Sequence, residues 1–219
     1  MPPHGPGVPA VTLATDERAA LCDLLDGVGP DRPTLCSGWT TADLLAHLLV
    51  RERAPWAAPG VVVPALAPLT GAAMRSWDGV PWTERVDVLR RGAPLWSVFR
   101  IGRIDEIANG GEFFVHHEDV RRGEPGWEPR PPDPARDDAL WALLGRMGRI
   151  LYRRSPVGVV ARRPSTDQKV LVTAGSRAVM LVGEPGELVL HAFGRDAARV
   201  EVEGDAAQVE LFAAAPRGV

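Results

Sequence analysis

Apolar residues recur at helical spacing through the first two thirds of the chain, then give way to short alternating runs. Leu21, Leu24, Leu25 and Val28 fall three or four apart. They predict a helix from Thr15 to about Val28, with Thr15 and Asp16 in its N-cap region and Gly29-Pro30 as its stop. Asp31 to Trp39 reads as a loop containing Pro33 and Gly38. Leu44, Leu45, Leu48 and Leu49 mark a second helix from Thr40 or Thr41 to about Arg53, closed by Pro55. Pro59 to Pro68 is proline-rich and apolar and reads as an extended connection. Short helices follow near Leu69–Asp78 and Thr83–Arg91. Longer ones run from about Arg103 to Arg122, stopped by Gly123-Glu124-Pro125-Gly126, and from Asp133 to Arg154, where Pro134 suits a first turn.

After Pro156 the texture changes. Val157–Ala161, Lys169–Thr173, Ala178–Val182, Glu187–His191 and Arg199–Glu203 are short, valine-rich or alternating, and punctuated by Gly, Pro and Asp. They read as strands, with a last helix at Ala206–Ala214. Helices first and strands later predict an α+β chain. Its parts are a Pro/Gly-rich flexible leader (1–14), a helical domain (15–154) and a small α+β domain (155–219).

Composition narrows the function classes. The formal net charge is −3, which gives no basic footprint for nucleic acid or an anionic membrane surface. No apolar run approaches the roughly 20 residues that span a bilayer. Met1 to Ala10 lacks the basic and apolar regions of a signal peptide, so a cytoplasmic protein is expected, with Cys22 and Cys36 as free thiols. Lys169 is the only lysine against many arginines, a bias of GC-rich bacterial coding that weakens any argument from arginine content.

The chemistry concentrates on the helix near Arg103–Arg122. Asn109, Glu112, His116 and Asp119 are spaced 3, 4 and 3 apart and form one stripe. A polar stripe on a helix that also carries Ile104, Ile107, Phe114 and Val115 needs partners where it is buried. Glu112 and His116, at i and i+4, can aim a carboxylate oxygen and an imidazole nitrogen at one ion. His47, alone among leucines, is the candidate third ligand. Two imidazoles and a carboxylate with open positions resemble a catalytic zinc set, and the same donors suit nickel, iron or manganese. By spacing alone, the commoner readings are a core histidine and a surface Glu–His pair. His117 and Glu118 lie about 100° per residue round the helix and face away. His4 falls in the leader, His191 in a strand, and Cys36 in a loop without a CxxC partner.

Two segments resemble a known family. Thr34-Leu35-Cys36-Ser37-Gly38-Trp39-Thr40-Thr41-Ala42-Asp43-Leu44-Leu45-Ala46-His47 resembles the T-x-C-x-G-W-x-x-x-D-L-x-x-H signature of mycothiol-dependent maleylpyruvate isomerases, which belong to the DinB-like four-helix-bundle metalloproteins. Glu112 to Arg121 resembles the second signature, E-x-x-x-H-x-x-D-x-R. Gly183-Glu184-Pro185-Gly186-Glu187-Leu188, Gly194-Arg195 and Val202-Glu203-Gly204-Asp205 look like the family's small α+β domain, similar to sterol-carrier folds. The resemblance implies that His47, Glu112 and His116 match the zinc ligands, and that Asp43 and Asp119 match acidic positions that orient ligands or hold structure. Asp43 also suits a helix cap, and Asp119 a salt bridge with Arg122 or Arg103. The flanks of His47 and the second histidine after His116 depart from the isomerase pattern and look closer to a metal-binding subgroup.

The resemblance further implies a small-molecule thiol such as mycothiol, an electrophilic substrate, and a monomer or homodimer. Arg51 and Arg121, with Arg53 and Arg122, are candidates for binding acidic groups of such a cofactor, or else a solvated basic face. Trp39 is expected in the core. Three chemistries follow. A metal-held thiolate would serve a transferase or isomerase, metal-activated water would serve hydrolysis with Asp43 or Asp119 as base, and a structural metal would serve a non-catalytic binding module.

Overall fold

The computed structural model describes residues 12–54, 56–57, 63–94, 97 and 102–218, with side chains from 109 onward in the helix that begins at Gly102. The leader at Met1 to Ala10, most of the connection at Pro59 to Val62, and the side chains of Ile104, Ile107 and Arg103 lie outside the described residues. The remainder is α+β, with helices first and a small sheet later. The chain folds as two compact units: residues up to Arg32 together with Trp39–His117, and Pro33–Gly38 together with Glu118–Val219.

The first unit is helical. It holds α1 (Leu13–Val28), α2 (Thr41–Arg53), α3 (Ala67–Arg75) and α4 (Trp82–Arg90), with α5 (Gly102–Arg121) up to His117. The N-cap of α1 is Thr12, whose Oγ1 accepts from the Thr15 N–H, so the helix starts earlier than Thr15 and Asp16 suggested. A short 3-10 turn, Pro64–Leu66, replaces part of the expected extended connection. Leu21 and Leu25 of α1, Leu44, Leu45, Leu48 and Leu49 of α2, and Val86 and Leu89 of α4 are buried together, as their 3–4 spacing requires. Alpha-5 meets α1 where Gly110 leaves room for the Leu13 side chain.

The second unit surrounds a four-stranded sheet of order β2-β1-β3-β4. Its strands are β1 (Gly158–Arg163), β2 (Gln168–Thr173), β3 (Ala178–Val182) and β4 (Glu201–Glu203). Beta-1 pairs antiparallel with β2 and parallel with β3, and β3 antiparallel with β4. Helices α6 (Pro134–Leu151), α7 (Pro185–Ala192) and α8 (Ala206–Ala213) complete it. Asp133 caps α6 through hydrogen bonds from the Ala135 and Arg136 N–H groups.

Glu187–His191, expected as a strand, is instead the helix α7. Every residue from Glu187 to Ala192 is buried, so no polar face marks a 3.6-residue period, and a buried helix then looks like a buried strand. The overlooked signal is Pro185 at the first turn, a helix-start residue. His191, in consequence, sits on that helix, stacked on Phe212 with 5.9 Å between ring centroids.

His191 is held neutral by burial and by its partners. Arg217 Nη1 lies 3.0 Å from Nε2, and Tyr152 Oη lies 2.7 Å from Nδ1. A guanidinium only donates, so Nε2 must stay unprotonated to accept. Burial first, and the charge of Arg217 second, lower the His191 pKa from 6.5 to about 4, with Asp196 opposing.

Two expectations follow. Gly123 lies against backbone, where a Cβ would come within 2.1 Å of the Pro33 carbonyl oxygen. Gly145 on α6 would meet only Val170 Cγ2 at 3.6 Å, ordinary contact. Gly123→Ala is expected to destabilise by about 1–3 kcal/mol, whereas Gly145→Ala should be neutral or stabilise by up to about 1 kcal/mol; urea unfolding reads both signs. For His191, the unfolded chain takes up a proton near pH 6.5 and the folded chain only near pH 4. Its contribution is therefore complete above about pH 6.5 and lost as pH falls towards 4, on the order of 3 kcal/mol. Stability measured against pH should flatten over that window in His191→Gln; an unchanged slope would refute the assignment.

Candidate functional site

Helix α2 brings the first candidate group. Thr40 is its N-cap: its Oγ1 accepts from the Asp43 N–H, while Asp43 Oδ2 accepts from the Thr40 N–H at 2.9 Å. This reciprocal capping box satisfies two N–H groups that a helix start otherwise leaves unmatched. It fixes where α2 begins and so places His47 on the inward face, 8% exposed. Of the two roles open to Asp43, capping is the one seen.

Helix α5 brings the rest. Glu112 and His116 lie one turn apart, with Glu112 Oε2 3.3 Å from His116 Nε2. The His47 and His116 rings meet edge to face at a centroid distance of 5.3 Å. One ligand atom from each of His47, Glu112 and His116 can be chosen so that all three lie within 4.8 Å of one another. Two donors bound tetrahedrally at about 2.0–2.1 Å would stand about 3.3–3.4 Å apart, which is the separation of the Glu112 and His116 atoms.

Charge states suit the same use. Burial, and next the neighbouring His116, lower the His47 pKa to about 3, so the ring is neutral at physiological pH. Burial pushes the Glu112 carboxyl up, but the hydrogen bond with His116 and then the charge of Arg51 outweigh it and hold the pKa at about 2. A neutral imidazole and an ionised carboxylate are the forms that bind a cation.

The surroundings sort the other candidates. Arg51, one turn after His47, donates through Nη1 to Asn109 Oδ1, and its Nη2 lies 3.9 Å from Glu112 Oε1. Trp39, expected in the core, is only half-buried, and its ring lies 5.2 Å from that of His47. His117 points elsewhere, its Nδ1 3.0 Å from Glu17 Oε2. In the second unit Glu118 takes Arg121 at 2.8 Å and Arg122 at 2.6 Å. Arg121 also donates to the Glu128 carbonyl, and Arg53 in the first unit donates to the carbonyls of Val88 and Gly92.

Asp119 departs from expectation. It pairs with Arg195 at 2.6 Å and accepts from the Cys36 thiol at 3.2 Å. Arg122, the expected partner, pairs with Glu118 and Glu187 instead. A contact over this sequence distance leaves no local signal. Cys22 and Cys36 are free thiols, and burial raises the Cys22 pKa to about 12. Spacing also missed the buried pair Arg18–Glu52 at 2.5 Å, where Arg18 lies over the Phe113 ring at 4.4 Å.

Residues 11–98 match the family described as the mycothiol maleylpyruvate isomerase N-terminal domain. The matched segment is less than half of the chain. It includes α1 to α4 and His47, while Glu112 and His116 lie beyond it. The fold agrees over a longer span. A crystal structure of the mycothiol-dependent maleylpyruvate isomerase superposes with a TM-score of 0.54 at 17% identity, covering 89% of this chain and 92% of that one. A histidine-to-alanine mutant of that enzyme gives a TM-score of 0.55 at the same identity and coverage. Among curated proteins, none matches this chain. No described helix of the chain is long and apolar enough to cross a membrane.

The capping box gives a direct test. Asp43→Ala is expected to lower stability by about 1 kcal/mol, and Thr40→Ala similarly. The double variant should lose little more than either single one, because both remove one shared device. Additive losses in urea unfolding would show that Asp43 does something beyond the cap.

Proposed function

We propose that His47, Glu112 and His116 hold one divalent metal ion, with zinc as the best fit, and that this centre serves a mycothiol-dependent isomerase or transferase. The observation that carries the reading is the convergence of two imidazoles, that of His47 held neutral, and one ionised carboxylate from two helices. Three protein donors leave coordination positions open, unlike the closed four-ligand sets of structural zinc. The likeness of residues 11–98 to the isomerase N-terminal domain, and of the fold to the isomerase, supports the thiol part of the reading. A bound ion of this kind lowers the pKa of a thiol and favours the nucleophilic thiolate.

The protein's own residues do the positioning. The Thr40–Asp43 box sets the phase of α2 and thereby the direction of His47. Trp39 backs the His47 ring and restricts its rotation. Arg51 approaches the outer oxygen of Glu112, and Asn109 orients Arg51. Arg51 is engaged by Asn109 and Glu112, and Arg121 by Glu118, so both serve groups of the protein itself. Hydrolysis is less well served. Its candidate bases are occupied, Asp43 in the capping box and Asp119 with Arg195.

The protein is expected to bind zinc stoichiometrically, and His47→Ala to abolish that binding in a protein that still folds. With cobalt in place of zinc, millimolar mycothiol should perturb the visible absorption spectrum. Full occupancy in His47→Ala would overturn the ligand set, and an unperturbed spectrum would overturn the thiol role.

A further inference from the structure

The two oxygens of Glu112 face different groups. Oε2 lies 3.3 Å from His116 Nε2, and Oε1 lies 3.9 Å from Arg51 Nη2. Arg51 is anchored in turn, its Nη1 donating to Asn109 Oδ1. Asn109 is fully buried and precedes Glu112 by three residues on α5, while Arg51 follows His47 by four residues on α2. The two helices that supply the candidate ligands therefore also supply a buried amide and a guanidinium behind one of them.

We infer that Asn109 and Arg51 are a positioning pair that holds Glu112 as a one-oxygen donor, with Oε1 turned to the guanidinium and Oε2 to the histidines' side. This rests on the reading of His47, Glu112 and His116 as a metal centre. A carboxylate can bind an ion through one oxygen or two, and the second oxygen takes up a coordination position. A guanidinium facing Oε1 competes for that oxygen electrostatically and fixes the plane of the carboxylate. The residue types suit the task. Asn109 offers a neutral acceptor, so it aims Arg51 without cancelling its charge. An aspartate there would form an ion pair and draw the guanidinium away from Glu112. Arginine is needed because one planar fork reaches two acceptors, which a lysine ammonium does less well. The groups that orient metal ligands commonly contribute ten- to hundredfold to affinity.

The test uses the full chain, titrated with cobalt against a competing chelator and followed by visible absorption, with metal-free melting as the control for folding. Arg51→Gln and Asn109→Ala should each weaken cobalt binding by about 10–100-fold. They should also lower the visible absorption intensity, as the second carboxylate oxygen joins and the coordination number rises. Arg51→Lys should fall between these variants and the wild type. If Arg51→Gln fails to fold, Arg51→Lys and Asn109→Ser carry the test. Variants that melt lower but keep wild-type cobalt affinity and spectrum would overturn the positioning role and leave the metal centre standing. A wild-type protein that binds no cobalt would overturn both.

Discussion

Helix α5 buries more polarity than a helix can carry unaided, and its surroundings are shaped by that demand. Asn109, His116, His117, Glu118 and Asp119 are all nearly or wholly inaccessible. Leaving even one such group unmatched in the interior costs about 1–3 kcal/mol, and an ionised one more. Asn109 is matched by Arg51, His117 by Glu17 and Asp119 by Arg195, each from elsewhere in the same unit, while Glu118 takes Arg121 and Arg122 from the following turn. Glu112 and His116 have each other and His47. Buried ion pairs of this kind add little net stability over apolar packing, but removing one member strands the other. The polar stripe is therefore tolerated as an ensemble of matched groups rather than as a source of stability.

This pattern separates what could be read along the chain from what could not. Alpha-1, α2, α4 and α6 announce themselves because one face is apolar and the other wet, so their spacing has a phase. The start of α2 is legible for a second reason: Thr40 and Asp43 are three residues apart, and the capping interaction is local. His47, Glu112 and His116 could be picked out because two share a stripe and the third stands alone among leucines. Their meeting in space needed the fold.

The failures have the opposite character. Alpha-7 is buried on all sides, so its sequence lacks the phase that distinguishes helix from strand. Asp119 finds Arg195 and Cys36, and Arg18 finds Glu52; these are pairings over long stretches of chain with no periodic trace. Local chemistry writes itself into spacing. Long-range matching of charge does not.

The capping box on α2 also bears on the order in which the molecule assembles. Its two hydrogen bonds close over three residues, so they cost little chain entropy and can bias the helix towards its final start while the rest of the chain is still open. Several partners of α5, among them Arg51 for Asn109 and Glu17 for His117, are distant in sequence, and loop closure delays them. His47 is thus expected to reach its helical register early, with Glu112 and His116 arriving in the last, most cooperative steps. Perturbing the cap then acts on folding rate, whereas perturbing the buried polar groups of α5 acts on the rate of unfolding.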